Sequence, residues 1–237
     1  MKWVKDRTGR FARRPHYLPA ELDDECGQMV TSFLKSRYGS ASYPITTDDL
    51  TVLIENLTEN LDLYADLATE GGEIEGVTDF TPHRLPKVRI SKRLTEDKRM
   101  SNRLRTTLTH ELGHVHFHSS LFDGEQSGDL FDAQAAPQSN KCTRATILQA
   151  AQTDWMEWQA GYACGAFLMP ATALSSTIQE FLHLRQLTVA RFGLASAEGL
   201  ELIQAVCNAF EVSRDAARVR LQQRGNLVGL DVGVGLV

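Results

Sequence analysis

His110, Glu111 and His114 stand in the order His-Glu-Leu-Gly-His. On an α-helix one turn separates positions i and i+4, so the two imidazoles leave the same face and can hold one metal ion between them. Neutral imidazole is a zinc ligand. Glu111 falls beside the pair, where a carboxylate can take a proton from a water that the metal acidifies. These residue types at this spacing point to hydrolysis, with one zinc ion per chain and Glu111 as general base.

The flanking residues can position that chemistry. Arg103 to Thr109 leads into His110 with no Pro or Gly. Leu104, Leu108, Leu112 and Val115 recur at helical spacing and mark a buried stripe. Gly113 is weaker than Ala in a helix by about 1 kcal/mol, and it suits a point where another backbone comes close. Ser101 can cap the helix, which sets the catalytic helix over about 102–118.

A catalytic zinc takes three protein ligands and keeps a position open. His118 continues the i+4 series, but three side chains from one straight helix cannot surround an ion tetrahedrally. The metzincin arrangement needs Gly at 117 and His at 120, where this chain has Phe117 and Ser120. His116 and His118 are therefore assigned to the surroundings of the site, to the substrate side or to the helix end. Glu157 is the better third ligand. The run Ala160, Gly161, Ala163, Cys164, Gly165, Ala166 gives its helix a surface of small side chains, able to lie close to the helix carrying Gly113. Asp154-x-x-Glu157 also has the spacing of a capping box, so cap and ligand both fit Glu157 on these residues alone.

The elements around these residues are legible from pattern. Pro19 opens a helix over about 20–37, with Leu22, Cys26, Met29, Val30 and Phe33 inward and Gly39 at its end. Thr46 or Thr47 caps a second helix with Leu50, Leu53, Ile54 and Leu57 inward. Leu61, Leu63, Ala65 and Leu67 then alternate with polar residues and with Tyr64 as a half-buried strand. Gly71-Gly72 is a turn, 73–80 a second strand, and Val88 and Ile90 the centre of a third. A small sheet thus precedes the catalytic helix, and such a sheet can offer an edge to an extended peptide. Residues 119–141 show no period and read as a long mobile loop, either a lid or a surface insertion. Helix returns over 143–169, 172–187, 196–210 and 213–223, and the tail from Gly225 shows no clear element. The expected fold class is α+β: a small sheet packed on a zinc-binding helix pair, then a helical C-terminal region. The expected domains are a basic arm over 1–18, a peptidase domain over 19–170 and a helical region over 171–237.

Composition bounds the rest. The chain has 237 residues, 42% apolar and 23% charged, with net charge -5, which suits a globular protein and argues against wholesale coating of nucleic acid. No apolar run approaches the length of a membrane span. Lys2, Lys5, Arg7, Arg10, Arg13 and Arg14 precede no apolar stretch, so they form a solvated arm rather than an export signal. A cytoplasmic setting with reduced thiols follows. Cys26, Cys142, Cys164 and Cys207 form no CxxC pair, which excludes a zinc ribbon. Cys26, Cys164 and Cys207 read as core residues, and Cys142, after a polar loop, as an exposed thiol with a candidate regulatory or metal-contacting role.

The segment Arg103 to His114 followed by Glu157 to Pro170 resembles the ImmA/IrrE family of metallopeptidases, over about 60–225. That family joins Arg-x-Arg-Thr-Thr-Leu-Thr-His-Glu-Leu-Gly-His to a later Glu-x-x-Ala…Leu-Met-Pro block. The resemblance implies His110 and His114 as histidine ligands, Glu111 as base and Glu157 as carboxylate ligand of a gluzincin-like site. The chain departs from the family at Gly161, where Asn is usual and where Asp154 is a substitute to consider, and at Ala163, often Phe. The resemblance further implies a bacterial or mobile-element setting, a role in transcription regulation or stress response, and a helix-turn-helix repressor as the protein substrate. For the oxyanion of peptide hydrolysis the candidates are Tyr162, His116 and His118. The alternative is a metal-binding regulator acting by DNA or protein binding. Residues 202–224 have a helix-turn-helix pattern, with Ser213 as cap and Arg214, Arg218 and Gln222 on one face. Residues 171–237 carry no net charge, so DNA is the less favoured partner.

Overall fold

The computed structural model describes residues 1–71, 73–123, 138–143 and 154–229. Its architecture is α+β, with a mixed sheet, a central helix pair and a helical C-terminal region.

The chain opens on two antiparallel strands, β1 (Lys2–Lys5) and β2 (Arg13–His16), paired from Lys2 with His16 to Lys5 with Arg13. This corrects the expectation of an irregular basic arm over 1–18. Asp6 closes the intervening loop by accepting from Thr8 N at 3.0 Å and Phe11 N at 3.1 Å. Trp3 and Phe11 pack against Phe80, Leu121, Phe122, Trp155 and Met156. Those partners lie far along the chain, so no local period announces the hairpin.

Helix α1 (Pro19–Tyr38) starts at a proline and ends at Gly39, whose φ of +78° provides the left-handed cap. Helix α2 (Thr47–Glu55) is capped by Thr46, which accepts from Asp49 N. Strands β3 (Asn60–Ala65), β4 (Ile74–Phe80) and β5 (Lys87–Ser91) follow, and a short helix α3 (Lys92–Glu96) leads to helix α4 (Ser101–His118). Ser101 is already helical and makes no side-chain cap bond, contrary to its expected role. Strand β6 (Gln138–Thr143) completes a four-stranded sheet in the order β3-β5-β4-β6. β3 and β5 are parallel; β4 is antiparallel to both β5 and β6.

β6 corrects the loop expected over 119–141. Residues 119–122 form a short 3-10 turn, and 138–141 belong to the sheet, while most of the remaining loop lies outside the described residues. The ladder that makes β6 a strand is non-local, Asn140 opposite Thr78 and Cys142 opposite Gly76. Polar side chains on both sides of the ladder hide its alternation. A register shift between Ile74 and Gly76 bulges Glu75 out of that ladder, where Arg93, Arg103 and Thr107 meet its carboxylate.

Helix α5 (Trp155–Leu168) lies along α4; the first part of the expected 143–169 helix falls largely outside the described residues. Helices α6 (Ala171–Leu184), α7 (Ala197–Phe210) and α8 (Arg214–Gln223) follow close to their expected bounds. Between and after them, β7 (Phe192–Gly193) pairs in parallel with β8 (Leu227–Val228), giving the tail an element that its Gly- and Val-rich pattern concealed. One hydrophobic core runs from Leu22 on α1 through Leu108 and Leu112 on α4 and Phe167 on α5 to Phe210, Leu221 and Leu227. Among the described residues no helix is long and apolar enough to cross a membrane.

Candidate metal centre

α4 carries His110, Glu111 and His114, and all three are fully buried. They are held from two sides. On one side, α5 approaches so closely that a Cβ on Gly113 would stand 3.0 Å from Ala160 Cα and 3.2 Å from Ala160 O. The glycine and the small residues opposite therefore set the spacing between the helices, as the sequence pattern suggests. On the other side, β4 presents Gly76 and Thr78 to Glu111.

This packing brings Glu157 to the histidines. Glu157 Oε2 lies 3.2 Å from His110 Nε2, Glu157 Oε1 lies 3.1 Å from His114 Nε2, and the two Nε2 atoms are 3.1 Å apart. Ligands about 2.0–2.1 Å from a tetrahedral zinc are separated by about 3.3 Å. The donor triangle thus has the size and the atom types of three ligands on one zinc ion. His110, His114 and Glu157 form a group able to hold a metal. Burial opposes the Glu157 charge, yet the charge of His114 and hydrogen bonds from His110 and His114 hold this carboxyl far below the usual carboxylate range. His114 moves the other way: burial disfavours its charge, and Glu157 more than offsets that.

The capping question resolves without conflict. Asp154 accepts from the Glu157 backbone N at 3.5 Å, so the helix end is capped by Asp154 while the Glu157 side chain turns to the histidines. Asp154 also meets Arg10 at 3.7 Å. It acts at the helix end and on Arg10, and gives no hydrogen bond to a ligand side chain among the described residues.

Glu111 has two oxygens in different surroundings. Oε2 accepts from Thr78 Oγ1 at 2.5 Å. Oε1 is buried and has no hydrogen-bond partner among the described residues. A Cβ on Gly76 would stand 2.5 Å from Oε1, so only glycine leaves room for the carboxylate in this place. Cys142, expected to be exposed, is buried at 1% exposure. Its sulfur lies within 4.8 Å of the ligand atoms of His110 and Glu111. Burial, then the Glu111 carboxylate, pushes this thiol well up, which makes it a neutral neighbour of Glu111.

The three oxyanion candidates are all engaged elsewhere. Tyr162 donates to Asp23 Oδ2 at 3.2 Å, and His116 meets Glu25 at 3.4 Å. His118 packs behind His114, with Nδ1 at 3.1 Å from His114 Nδ1 and Nε2 at 3.1 Å from Gln159 Oε1. Sequence reasoning missed Gly76, Thr78, Asn140 and Gln159. Asn140 sits on β6 with its amide nitrogen 3.4 Å from His114 Nδ1 and its oxygen accepting from Arg10. The first two lie on an expected strand and could have been flagged as a small residue and a hydroxyl facing α4.

The C-terminal helix pair is tied into the same body. Arg220 on α8 is fully buried and donates to Asp23 on α1 at 2.6 Å and to Met169 O at 3.2 Å. Arg224 reaches the other Asp23 oxygen at 2.6 Å. Arg214 is exposed, and Arg218 leans on Gln222 at 3.2 Å. No family model matches this chain, and no curated protein matches it.

Proposed function

We propose that this chain is a zinc-dependent metallopeptidase of the ImmA/IrrE kind that hydrolyses a peptide bond in a protein substrate. The observation that carries this reading is the triangle of His110 Nε2, His114 Nε2 and a Glu157 oxygen, with the unpartnered Glu111 Oε1 beside it. A zinc ion held by His110, His114 and Glu157 would acidify water and polarise a carbonyl. Glu111 accepts the proton of the attacking water on Oε1 and passes it to the leaving amine. Thr78 holds the other oxygen and fixes the carboxylate plane. Among the described strands β6, which carries Asn140 next to His114, is the outer strand on the side of the site, and its edge would suit an extended substrate strand.

The motif resemblance supports a helix-turn-helix transcriptional repressor as the substrate, and the free thiols of Cys26, Cys142, Cys164 and Cys207 fit a cytoplasmic setting. DNA binding through α7 and α8 is the weaker reading, because α8 spends Ala216, Ala217, Arg220 and Leu221 on the core. Salt-dependent binding of duplex DNA by the full chain would favour it.

The direct test pairs two variants. Glu111→Gln keeps one zinc per chain and loses cleavage of a repressor encoded beside this gene by about 10²-fold or more. His110→Ala loses the zinc. Full zinc content in both His110→Ala and Glu157→Ala would overturn the metal assignment, and undiminished cleavage by Glu111→Gln would overturn the role of the base.

A further inference from the structure

We propose that the Pro15 carbonyl, Gln159 and His118 form a positioning chain that fixes the tautomer of His114, so that the N-terminal hairpin is a working part of the metal centre. The proposal rests on the metal reading above. Its basis is the direction of three buried hydrogen bonds. A proline carbonyl can only accept. Gln159 Nε2 donates to Pro15 O at 3.0 Å, which turns Gln159 Oε1 toward His118. An amide oxygen can only accept, so His118 Nε2 carries a proton and donates to it at 3.1 Å. The neutral ring then has a lone pair on Nδ1, which faces His114 Nδ1 at 3.1 Å. His114 must place its proton on Nδ1 and donate to His118. With a metal in the donor triangle, His114 Nε2 then offers it the lone pair, in place of the hydrogen bond it otherwise gives Glu157 Oε1 at 3.1 Å.

The opposite order fails at its far end. Were His118 to donate from Nδ1, Gln159 would have to donate to His118 Nε2 and set its own oxygen 3.0 Å from the Pro15 carbonyl, two acceptors in contact. The residues along the chain are buried, so no water relieves such a mismatch. Asn140 offers His114 Nδ1 a competing donor, but at 3.4 Å and through a side chain held by the partly exposed Arg10. The shorter, fully enclosed path prevails. A ligating histidine commonly gives its second N–H to a carboxylate, carbonyl or water. Here an imidazole takes that place, and its own orientation is inherited from β2.

The test combines zinc affinity with the proton positions themselves. Competition titration of the full-length protein with zinc compares the parent with His110→Ala, His118→Phe, His118→Gln and Gln159→Met. His118→Phe removes the acceptor and should weaken zinc binding about 10–100-fold. His118→Gln, which restores an acceptor oxygen, should recover most of the loss, and Gln159→Met should weaken binding by less than His118→Phe. ¹⁵N spectra of the zinc-loaded parent, which need no substitution, should show a proton on His114 Nδ1 and on His118 Nε2. A parent that does not bind zinc, or a His110→Ala protein that binds it equally well, overturns the metal reading and this inference with it. Parent-like affinity in both His118→Phe and Gln159→Met, or a His118 proton on Nδ1, overturns the inference alone.

Discussion

Glu111 is the residue on which the proposed chemistry turns, and two small neighbours decide where its oxygens point. Thr78 donates to Oε2, and Gly76 leaves the space that the carboxylate fills. Thr78→Val keeps the shape of the side chain and removes a hydrogen bond to a charged group, an interaction of about 1.5–3 kcal/mol. Zinc content should be unchanged while peptide cleavage falls about tenfold or more. Gly76→Ala puts a methyl 2.5 Å from Oε1 and 2.9 Å from Thr107 Cγ2. The carboxylate must swing away, so cleavage should fall with zinc retained. Equal activity of Gly76→Ala and the parent in a peptide assay would show that the pocket around Glu111 is looser than the structure has it.

Between elements, the decisive distance is that between α4 and α5. Gly113→Ala should gain about 1 kcal/mol of helix propensity, but its Cβ would meet Ala160 backbone at 3.0 Å. Overpacking of this kind costs about 1–3 kcal/mol, and backbone cannot rotate aside as a side chain can. The packing penalty therefore wins. The variant should melt below the parent and bind zinc more weakly, because Glu157 is carried away from the histidines. A melting temperature raised by Gly113→Ala would count against the close approach. The N-terminal hairpin belongs to this scale too: it meets α5 through Phe11 on Trp155 at 6.2 Å between ring centres and through Pro15 to Gln159.

At the level of the whole molecule, one core and one buried ion cluster join the C-terminal helices to the rest. Arg220→Leu breaks the buried pair with Asp23, which keeps only the partly exposed Arg224 and the Tyr162 hydroxyl, and removes the donor to Met169 O. Breaking a buried pair costs about 3–5 kcal/mol, and chemical denaturation should read a loss of that order. For the same reason, removal of residues 171–237 strips Leu202, Val206, Phe210 and Leu221 from the core. Docking of a repressor is therefore better tested by substitutions at exposed positions such as Arg214 than by truncation. Zinc should also act globally. A ligand present at 100 times its Kd stabilises the folded state by about 2.7 kcal/mol, which raises the melting temperature of a chain this size by roughly 5–11 °C. Chelation should reverse that rise and zinc restore it; a melting curve indifferent to both would contradict a bound structural load at His110, His114 and Glu157.

What the sequence determined by itself was local. Two histidines at i and i+4 share a helix face whatever surrounds them, so His110, Glu111 and His114 were legible at once. The caps and stops at Pro19, Gly39, Thr46 and Ser213 act within a few residues, which is why α1 and α8 fall near their expected bounds and α2 starts at an expected cap. The small-residue run after Glu157 marked a close helix contact, although not which atoms would meet. Only the tertiary structure decided the rest. β6 exists because β4 pairs with it across about 60 residues of chain. The hairpin at the N-terminus exists because aromatic residues far away receive Trp3 and Phe11. Cys142 is buried and Gln159 reaches Pro15 for the same reason: strand pairing and helix packing bring together residues that no period connects. Local patterns report the geometry of a single element, whereas the neighbours of Glu111 and His114 come from α4, α5, β4 and β6, and their meeting is fixed only when the core closes.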